Sequence, residues 1–403
     1  MQAPASASTL PRHPLEERAL SEPEAVLRLL PALEVKARKA GNSSELTLLY
    51  LAESNACRVI ADWPCQRRSG AAAAKAAQAS GQPILLVRAL ITESRALIAM
   101  QDFSRGEQLL GQAELILKGA PSPELSADVL LAYSSLSFSL GKLALSAEYA
   151  ERGLAVLPGD LGLPTQARLL RNLARAQAQQ GLKVVAEQSL QRGRGLAERV
   201  NDPKLSAEIW LGDARQARSN GDVPAQERSG ERVLQLASRL KNSQLGGMGH
   251  EVLGLAALDK GDEARANREL RAAYDSFRAL GMKRDELRVL RELIRVAIEQ
   301  GQAPAVVNAM MTRFLDIDGA IESSDRAKAA DDFDARRLRA QHVADDGLAA
   351  RIPLGDQVTR VAFAADVGGP RVAQLVRGSI GSSTSGGEQR SEVSGRRWHR
   401  RAV

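Results

Sequence analysis

The sequence predicts an all-α superhelical solenoid of about seven antiparallel helix pairs with a forty-residue period. Three observations carry this prediction: a column of glycines, a column of prolines and several columns of small residues, all on the same period. A fixed period of this size is typical of a solenoid, in which no single unit buries its apolar face and stacking creates the core.

The glycines mark the turn inside each predicted helix pair. Each glycine ends one apolar-periodic segment and precedes the next, as between Leu130–Leu140 and Leu143–Leu157. The column consists of Gly141, Gly181, Gly221, Gly261 and Gly301, and Gln101 stands one period earlier. The repeat unit is therefore a helical hairpin.

Prolines mark where the first helix of a pair begins, because proline lacks the N–H that has no intrahelical partner there. They are Pro83, Pro123 and Pro203, with Pro164 one residue late. Small residues should recur where helices touch most closely. They stand seven residues before the glycine column (Ser94, Ser134, Ala174, Ala214, Gly254), twelve after it (Ala113, Gly153, Gly193, Ala273) and, more loosely, five after it (Gly106, Ser146, Ala186, Ala266, interrupted by Gln226 and Val306).

This pattern of small residues resembles the tetratricopeptide repeat (TPR), whose helix pairs pack through small residues at these offsets. The resemblance covers roughly residues 44–320. The unit departs from the family in having forty residues instead of 34 and few of the signature aromatic residues. Longer helices or longer turns between repeats would absorb the difference. A HEAT-type repeat fits the length as well, but it does not predict the columns of small residues.

In chain order we expect a loose leader, a capping helix, the repeats, an exit helix and a tail. The leader covers residues 1–20, and the capping helix covers 21–43, with Ser21 as its N-cap and a kink or restart at Pro31. The expected helix pairs are 44–80, 83–118, 123–157, 164–200, 203–241, 244–280 and 284–320. Residues 321–336 are expected to form the exit helix and 337–403 a disordered basic tail rich in Gly, Ser and Arg.

The sequence lacks the signals of membrane insertion and secretion. No run of eighteen apolar residues occurs, and the first residues lack the basic start and apolar core of a signal peptide. We therefore expect a cytoplasmic protein, with a periplasmic location as the alternative if a signal sequence is missing from the start. Cys57 and Cys65 are expected to be reduced and buried in such a compartment, although a disulfide between them is geometrically conceivable.

No pattern of a catalytic, cofactor or metal site is visible. The stretches GxGxxG, GxxxxGK[ST], GxSxG and HExxH are absent, and the four histidines are scattered without a metal-ligand spacing. The acidic residues around Asp332 are interpreted as an exposed helix turn, since nothing nearby completes a calcium loop. We expect a protein without enzymatic activity and without a cofactor.

Arginines on the first helices of the pairs are the candidate binding residues, because those helices line the concave face of such a solenoid. Guanidinium groups suit carboxylate or phosphate groups, so the hypothesis is a protein or peptide partner, acidic or phosphorylated. The alternative is a solvated face paired with Glu187, Glu208 or Glu227. The candidates are Arg95, Arg168, Arg171, Arg175, Arg215, Arg218, Arg291 and Arg295.

From residue 337 onward the composition changes, with eleven arginines against six acidic residues, which supply most of the net charge of +7. A basic Gly/Ser tail is usually disordered, and we do not expect it to bind nucleic acid. The helical pairs followed by Met310–Arg336 are similar to the sensory half of bacterial GGDEF diguanylate cyclases, but no GGDEF sequence is present. Two function classes follow: an interaction scaffold or sensor module, and a truncated or frameshifted sensory region of a cyclase or transcription regulator.

Overall fold

The computed structural model describes residues 10–322 and 333–334. Within these residues all regular structure is helical, as the sequence predicts, and the helices belong to one compact unit that extends to Phe333. The sixteen helices are α1 Pro14–Arg18, α2 Pro23–Lys39, α3 Ser43–Ile60, α4 Trp63–Ser80, α5 Pro83–Ala99, α6 Phe103–Gly119, α7 Pro123–Ser139, α8 Leu143–Ala155, α9 Leu163–Gln179, α10 Lys183–Glu198, α11 Pro203–Ser219, α12 Val223–Leu240, α13 Ser243–Lys260, α14 Glu263–Ala279, α15 Lys283–Glu299 and α16 Pro304–Glu322. The predicted tail and most of the predicted exit helix lie outside the described residues.

Helices α3 to α16 form seven successive pairs. The first helix of each pair begins forty residues after the first helix of the preceding pair begins. Most of these helices have 17 or 18 residues, as α3 and α5 do, and two residues separate α3 from α4. The predicted period is therefore confirmed. Long helices, rather than long turns, account for the residues in excess of a 34-residue unit.

The glycine column occupies left-handed backbone at the turn inside each pair. The φ angles are +80° at Gly141, +81° at Gly181, +72° at Gly221, +77° at Gly261 and +62° at Gly301. Gln101 takes the same conformation with a φ of +68°. A residue with a Cβ is strained in this region, which explains why glycine recurs at this turn.

The columns of small residues seven before and five after each glycine face each other across a helix pair. Ser134 Oγ donates to the carbonyl of Ser146 at 2.9 Å, and Ser146 Oγ donates back to the carbonyl of Ser134 at 2.9 Å. In the preceding pair, Ser94 Oγ donates to the carbonyl of Gly106 at 2.8 Å. All four residues pack where a larger side chain would separate the helices.

Gln226 interrupts this column because its side chain serves the next repeat. Its Nε2 donates to the carbonyl of Val252 in α13 at 3.1 Å, and Gln66 makes the equivalent bond to the carbonyl of Thr92 at 3.3 Å. Both glutamines are about 1% exposed. At these two positions, a hydrogen bond to the following helix pair takes the place of a small residue at the contact within the pair.

The N-terminal residues differ in part from the prediction. Within the expected loose leader, residues 14–18 form α1, whose Glu16 pairs with Arg88 of α5. The N-cap of α2 is Glu22 instead of Ser21, because Pro23 is the first helical residue. Helix α2 also continues through Pro31 without a restart.

Later repeats contact the first ones, so the superhelix closes on itself. Lys204 Nζ, at the start of α11, donates to the carbonyl of Arg58 at 3.0 Å and lies 5.2 Å from the ring centroid of Trp63. Asn242 Nδ2 donates to the carbonyl of Val59 at 2.6 Å. Val59 is fully buried in an apolar cluster with residues of α11 to α13. The turn between α3 and α4 is thus the point where the superhelix closes.

The two cysteines lie at this same turn. The sequence analysis favoured reduced thiols, but the structure joins Cys57 and Cys65 in a disulfide with a Cα–Cα distance of 5.8 Å. The end of α3 and the start of α4 bring the two residues together, and both are buried.

The strain at the turn predicts opposite effects for two substitutions. Gly181→Ala should lower the free energy of unfolding by about 1 kcal/mol, because a Cβ there meets no neighbour and only the left-handed backbone penalises it. Gln101→Gly should raise the free energy of unfolding by a similar or smaller amount. Urea unfolding followed by circular dichroism measures both, and shifts in the same direction would contradict the explanation.

Burial predicts a pH dependence that is specific to Lys204. Burial lowers the pKa of Lys204 from 10.5 to about 8. Between these values the unfolded chain binds the proton more strongly, so stability should rise with pH. When the pH rises from 7 to 9.5, the free energy of unfolding of wild type should therefore increase by about 2 kcal/mol more than that of Lys204→Met. Urea unfolding at both pH values measures this difference. A constant difference between the two proteins would show that the ammonium group is not desolvated.

The disulfide predicts the thiol content of the purified protein. Titration with Ellman's reagent in urea, without a reductant, should find no free thiol, and the same titration after reduction should find both cysteines. Two free thiols in the unreduced sample, prepared with reductant excluded throughout, would restore the sequence-based expectation.

Candidate functional site

A channel of about 1670 Å³ runs along the inner face of the superhelix, and we call it the arginine channel. Its lining comes mainly from the first helices of the pairs, which are the odd-numbered helices α3 to α15. Eleven lysine and arginine side chains line it against seven aspartate and glutamate side chains. The channel is therefore electropositive.

Four of the eight arginines singled out from the sequence line this channel: Arg95, Arg168, Arg171 and Arg175. Arg215 lies close enough to interact electrostatically with Arg171, Arg175 and Arg288. The structure thus brings together arginines from α5, α9, α11 and α15.

The other three candidates lie elsewhere. Arg218 pairs with Asp259 at 3.2 Å. Arg295 pairs with Glu292 and Glu299 on its own helix. The side chains in these pairs are at least partly exposed to solvent. Arg291 lies 6.0 Å from the ring centroid of Phe314. None of the three is among the described residues that line the channel.

Several arginines of the channel form ion pairs with carboxylates from a neighbouring repeat. Arg168 pairs with Asp202, which Arg58 also approaches at 3.8 Å. Arg171 pairs with Glu208, as the alternative interpretation of the sequence proposed. Burial raises the pKa of both carboxyl groups, but the neighbouring arginines outweigh it and hold each pKa below its usual value. These carboxylates therefore stay ionised and stabilise the stacking of α9 on α11.

The same arrangement recurs in other repeats. Arg95 Nη2 lies 2.9 Å from Asp128 Oδ1, and Thr165 donates to the same oxygen at 3.0 Å. Arg288 binds Glu251 and Asp285, each at 2.7 Å through Nη2. The pairs of Arg95 with Asp128 and of Arg288 with Glu251 span 33 and 37 residues, since the partner lies one repeat away, whereas Asp285 lies on the same helix as Arg288.

Arg175 and Arg215 differ from these arginines, because in the described part of the chain neither forms an ion pair. The guanidinium carbon of Arg175 lies 3.7 Å from the ring centroid of Phe138, so the group stacks on the ring. Both side chains are exposed to solvent, although the surrounding protein partly desolvates them. Burial, followed by the charges of Arg215 and Arg171, lowers the pKa of Arg175 to about 9.

The pKa of Arg215 is also lowered, by burial first and by Arg288 and Arg171 next, while Glu251 opposes the change. Glu251 cannot neutralise Arg215 fully, because Arg288 binds both of its oxygens. Two positive charges thus remain without an ion pair, one on Arg175 in the channel lining and one on the neighbouring Arg215.

A signal for this difference exists in the sequence for Arg175 but not for Arg215, which Glu251 follows 36 residues later. Residues 34 to 37 positions after Arg168 and Arg171 include Asp202 and Glu208, whereas the equivalent residues after Arg175 are Ile209, Trp210, Leu211 and Gly212. Arg58, Trp63 and Phe138 gave no such signal. They reach the site because the superhelix closes and because helix ends from distant repeats meet.

Comparisons with known proteins show no family for this chain. No family model matches the chain, and no curated protein matches it. Among solved structures, BtubC (BKLC) from P. vanneervenii is 18% identical with a TM-score of 0.43, covering 54% of this chain and 92% of that chain. The Cut9–Hcn1 hetero-tetramer of APC/C is 16% identical with a TM-score of 0.49, and the match covers 65% of this chain and 44% of that chain.

A Signal Transduction ATPase with Numerous Domains (STAND) protein with a tetratricopeptide repeat sensor, from Pyrococcus horikoshii, is 10% identical with a TM-score of 0.46. The match covers 76% of this chain and 53% of that chain. Likenesses at this level indicate no function. The TPR-like character of the chain rests on its own helix pairs and columns of small residues. The similarity to diguanylate cyclases finds no support here and stays a hypothesis.

Two further features of the described residues concern membrane spans and metal sites. No helix among them is long and apolar enough to cross a membrane. They also contain no group of three or more His, Cys, Asp or Glu side chains arranged to hold a metal ion.

Proposed function

We propose that the protein is a non-catalytic interaction scaffold whose arginine channel binds an acidic segment of a protein partner. The observation that carries this proposal is the pair of uncompensated charges on Arg175 and Arg215. A guanidinium group that forms no ion pair and lies near other arginines keeps its hydrogen-bond donors for an anion, so a site of this kind favours an anionic ligand. Carboxylates of an extended peptide fit the elongated channel.

The geometry of Arg175 favours carboxylate recognition. A guanidinium group that stacks on an aromatic ring holds a fixed orientation and keeps its N–H groups, which lie in the guanidinium plane, available at its edge. Such an edge donates two parallel hydrogen bonds to a carboxylate. Since their neighbours Arg171 and Arg288 already bind acids of the chain, a partner can engage Arg175 and Arg215 without breaking an ion pair.

The proposal predicts that loss of these two charges weakens the binding of an acidic peptide. A fluorescein-labelled hexaglutamate should bind wild type at low salt, and Arg175→Gln with Arg215→Gln should weaken binding by roughly tenfold or more, since hydrogen bonds to charged groups contribute about 1.5–3 kcal/mol each. Fluorescence anisotropy measures the affinity. A phosphoserine peptide of equal length tests whether phosphate binds more tightly than carboxylate.

The matched control is Arg232→Gln with Arg271→Gln, on the outer helices α12 and α14. Both of these arginines are exposed and hydrogen-bond only to Gln235 and Asn267 in the described structure. The control should bind hexaglutamate as wild type does, apart from a small general effect of net charge. Equal weakening in both double variants would reduce the binding to net charge alone and contradict a site at Arg175 and Arg215.

A further inference from the structure

The segment before the repeats forms part of the wall of the arginine channel. This segment, residues 10–20, contains α1 and belongs to none of the seven helix pairs, and we call it the N-terminal strap. Seven of its residues line the channel, among them Glu16 and Glu17. Leu15 and Ala19 hold the strap in an apolar cluster with residues of α2 and α3. The strap is thus a part of the channel wall that is not a repeat.

Glu16 places a buried carboxylate of the strap on an arginine of the channel. It pairs with Arg88 of α5, which also lines the channel. A second nitrogen of the same guanidinium group donates to the backbone carbonyl of Pro11. Arg88 therefore binds the strap through a carboxylate and a backbone carbonyl, which are the acceptors that an acidic peptide offers.

Arg88 occupies the same place in its repeat as Arg168, which follows it by two forty-residue periods. Arg168 pairs with Asp202 at the start of the following helix pair, so this ion pair joins two repeats. The carboxylate on Arg88 comes instead from outside the repeats, and its ion pair joins the strap to α5. A partner can therefore replace this carboxylate without breaking an ion pair between repeats.

The burial of the pair makes the site at Arg88 selective for an acid. The side chain of Arg88 is 11% exposed and that of Glu16 is 5% exposed. Removal of the carboxylate alone would leave a buried guanidinium group without its counter-charge, which is strongly unfavourable. Exchange of Glu16 for a carboxylate of another chain keeps the charge compensation and the hydrogen bonds. Displacement of the strap should thus require an acidic segment.

We propose that Arg88 is a carboxylate subsite of the arginine channel, which Glu16 occupies in the free protein and an acidic partner segment takes over as it releases the strap. The proposal rests on the proposed function and deepens it, since the partner must supply carboxylates to Arg88 as well as to Arg175 and Arg215. Such a segment is longer than hexaglutamate, because α5 and α9 are two repeats apart. Twelve extended residues span about 40 Å. The docked strap lowers the apparent affinity for this segment.

Glu16→Gln in the full chain isolates the ion pair from the fold of α1. Glu16 Oε1 also accepts a hydrogen bond from the backbone N–H of His13 at 3.0 Å, and glutamine can keep this capping bond. Fluorescein-labelled dodecaglutamate should bind Glu16→Gln roughly tenfold or more tightly than wild type, because the strap no longer competes for Arg88. Fluorescence anisotropy measures both affinities, and equal affinities would overturn the proposal.

The matched control is Glu17→Gln, which removes the same charge from the next residue of α1. Glu17 also lines the channel, but it is exposed and forms no ion pair within the described residues. Glu17→Gln should bind dodecaglutamate as wild type does, apart from a small effect of net charge. Equal tightening in both variants would trace the gain to net charge and overturn the proposal.

Glu16→Gln combined with Arg88→Gln tests whether the gain comes from this arginine. The double variant should lose the tighter binding of Glu16→Gln, because the subsite itself is gone. Binding as tight as that of Glu16→Gln alone would show that Arg88 is not the subsite.

Amide hydrogen exchange of the full chain, followed by mass spectrometry, measures release of the strap directly. Saturation of wild type with dodecaglutamate should speed the exchange of the amides of α1 by roughly tenfold or more. Bound dodecaglutamate without faster exchange would make the strap a fixed cap of the solenoid and overturn the proposal.

The outcomes separate this proposal from the proposed function. Binding that depends on Arg175 and Arg215 but not on Glu16 would leave the proposed function standing and overturn the subsite at Arg88. If dodecaglutamate bound to none of these chains, both the proposed function and the exchange of Glu16 would be overturned.

Discussion

The left-handed turn inside each helix pair is the constraint on which the rest of the structure depends. Because Gly141, Gly181 and their equivalents hold nearly the same φ angle, each turn sets the second helix of a pair at a similar angle to the first. Helices of nearly constant length then repeat this geometry every forty residues. Side chains one period apart therefore occupy equivalent places, and a row of arginines along the sequence becomes the wall of one channel.

The arginines of this channel fall into two groups. Those paired with acids stabilise the fold, and those without an ion pair are available for binding. Arginines such as Arg168 and Arg171 meet carboxylates of the next repeat, so their charge is used to hold neighbouring helices together. Arg175 faces Phe138 in place of an acid. A fully paired surface would have no preference for an anion, whereas an unpaired guanidinium does.

Closure of the superhelix gives the channel its enclosed character. Lys204 and Asn242 bind backbone carbonyls at the end of α3, close to the disulfide between Cys57 and Cys65. Contacts between distant repeats limit the opening and closing that an unclosed solenoid permits, since an array stabilised only by neighbouring repeats bends freely along its length. The N-terminal helices thus hold both the closing contacts and part of the apolar wall of the channel.

The sequence by itself determined the helical class, the period, the turns and the paired columns, because these depend on local backbone preference and on residue size at fixed spacing. Ser134 and Ser146 meet as their offsets require, and the arginines from α5 and α9 face the channel. Only the tertiary structure decided the N-terminal helix α1, the disulfide and which arginines remain unpaired. Apart from the disulfide, which spans eight residues, those features depend on contacts between residues far apart in the chain, such as Glu16 with Arg88 or Arg95 with Asp128. A periodic pattern carries no information about where a superhelix closes, as Asn242 and Val59 show.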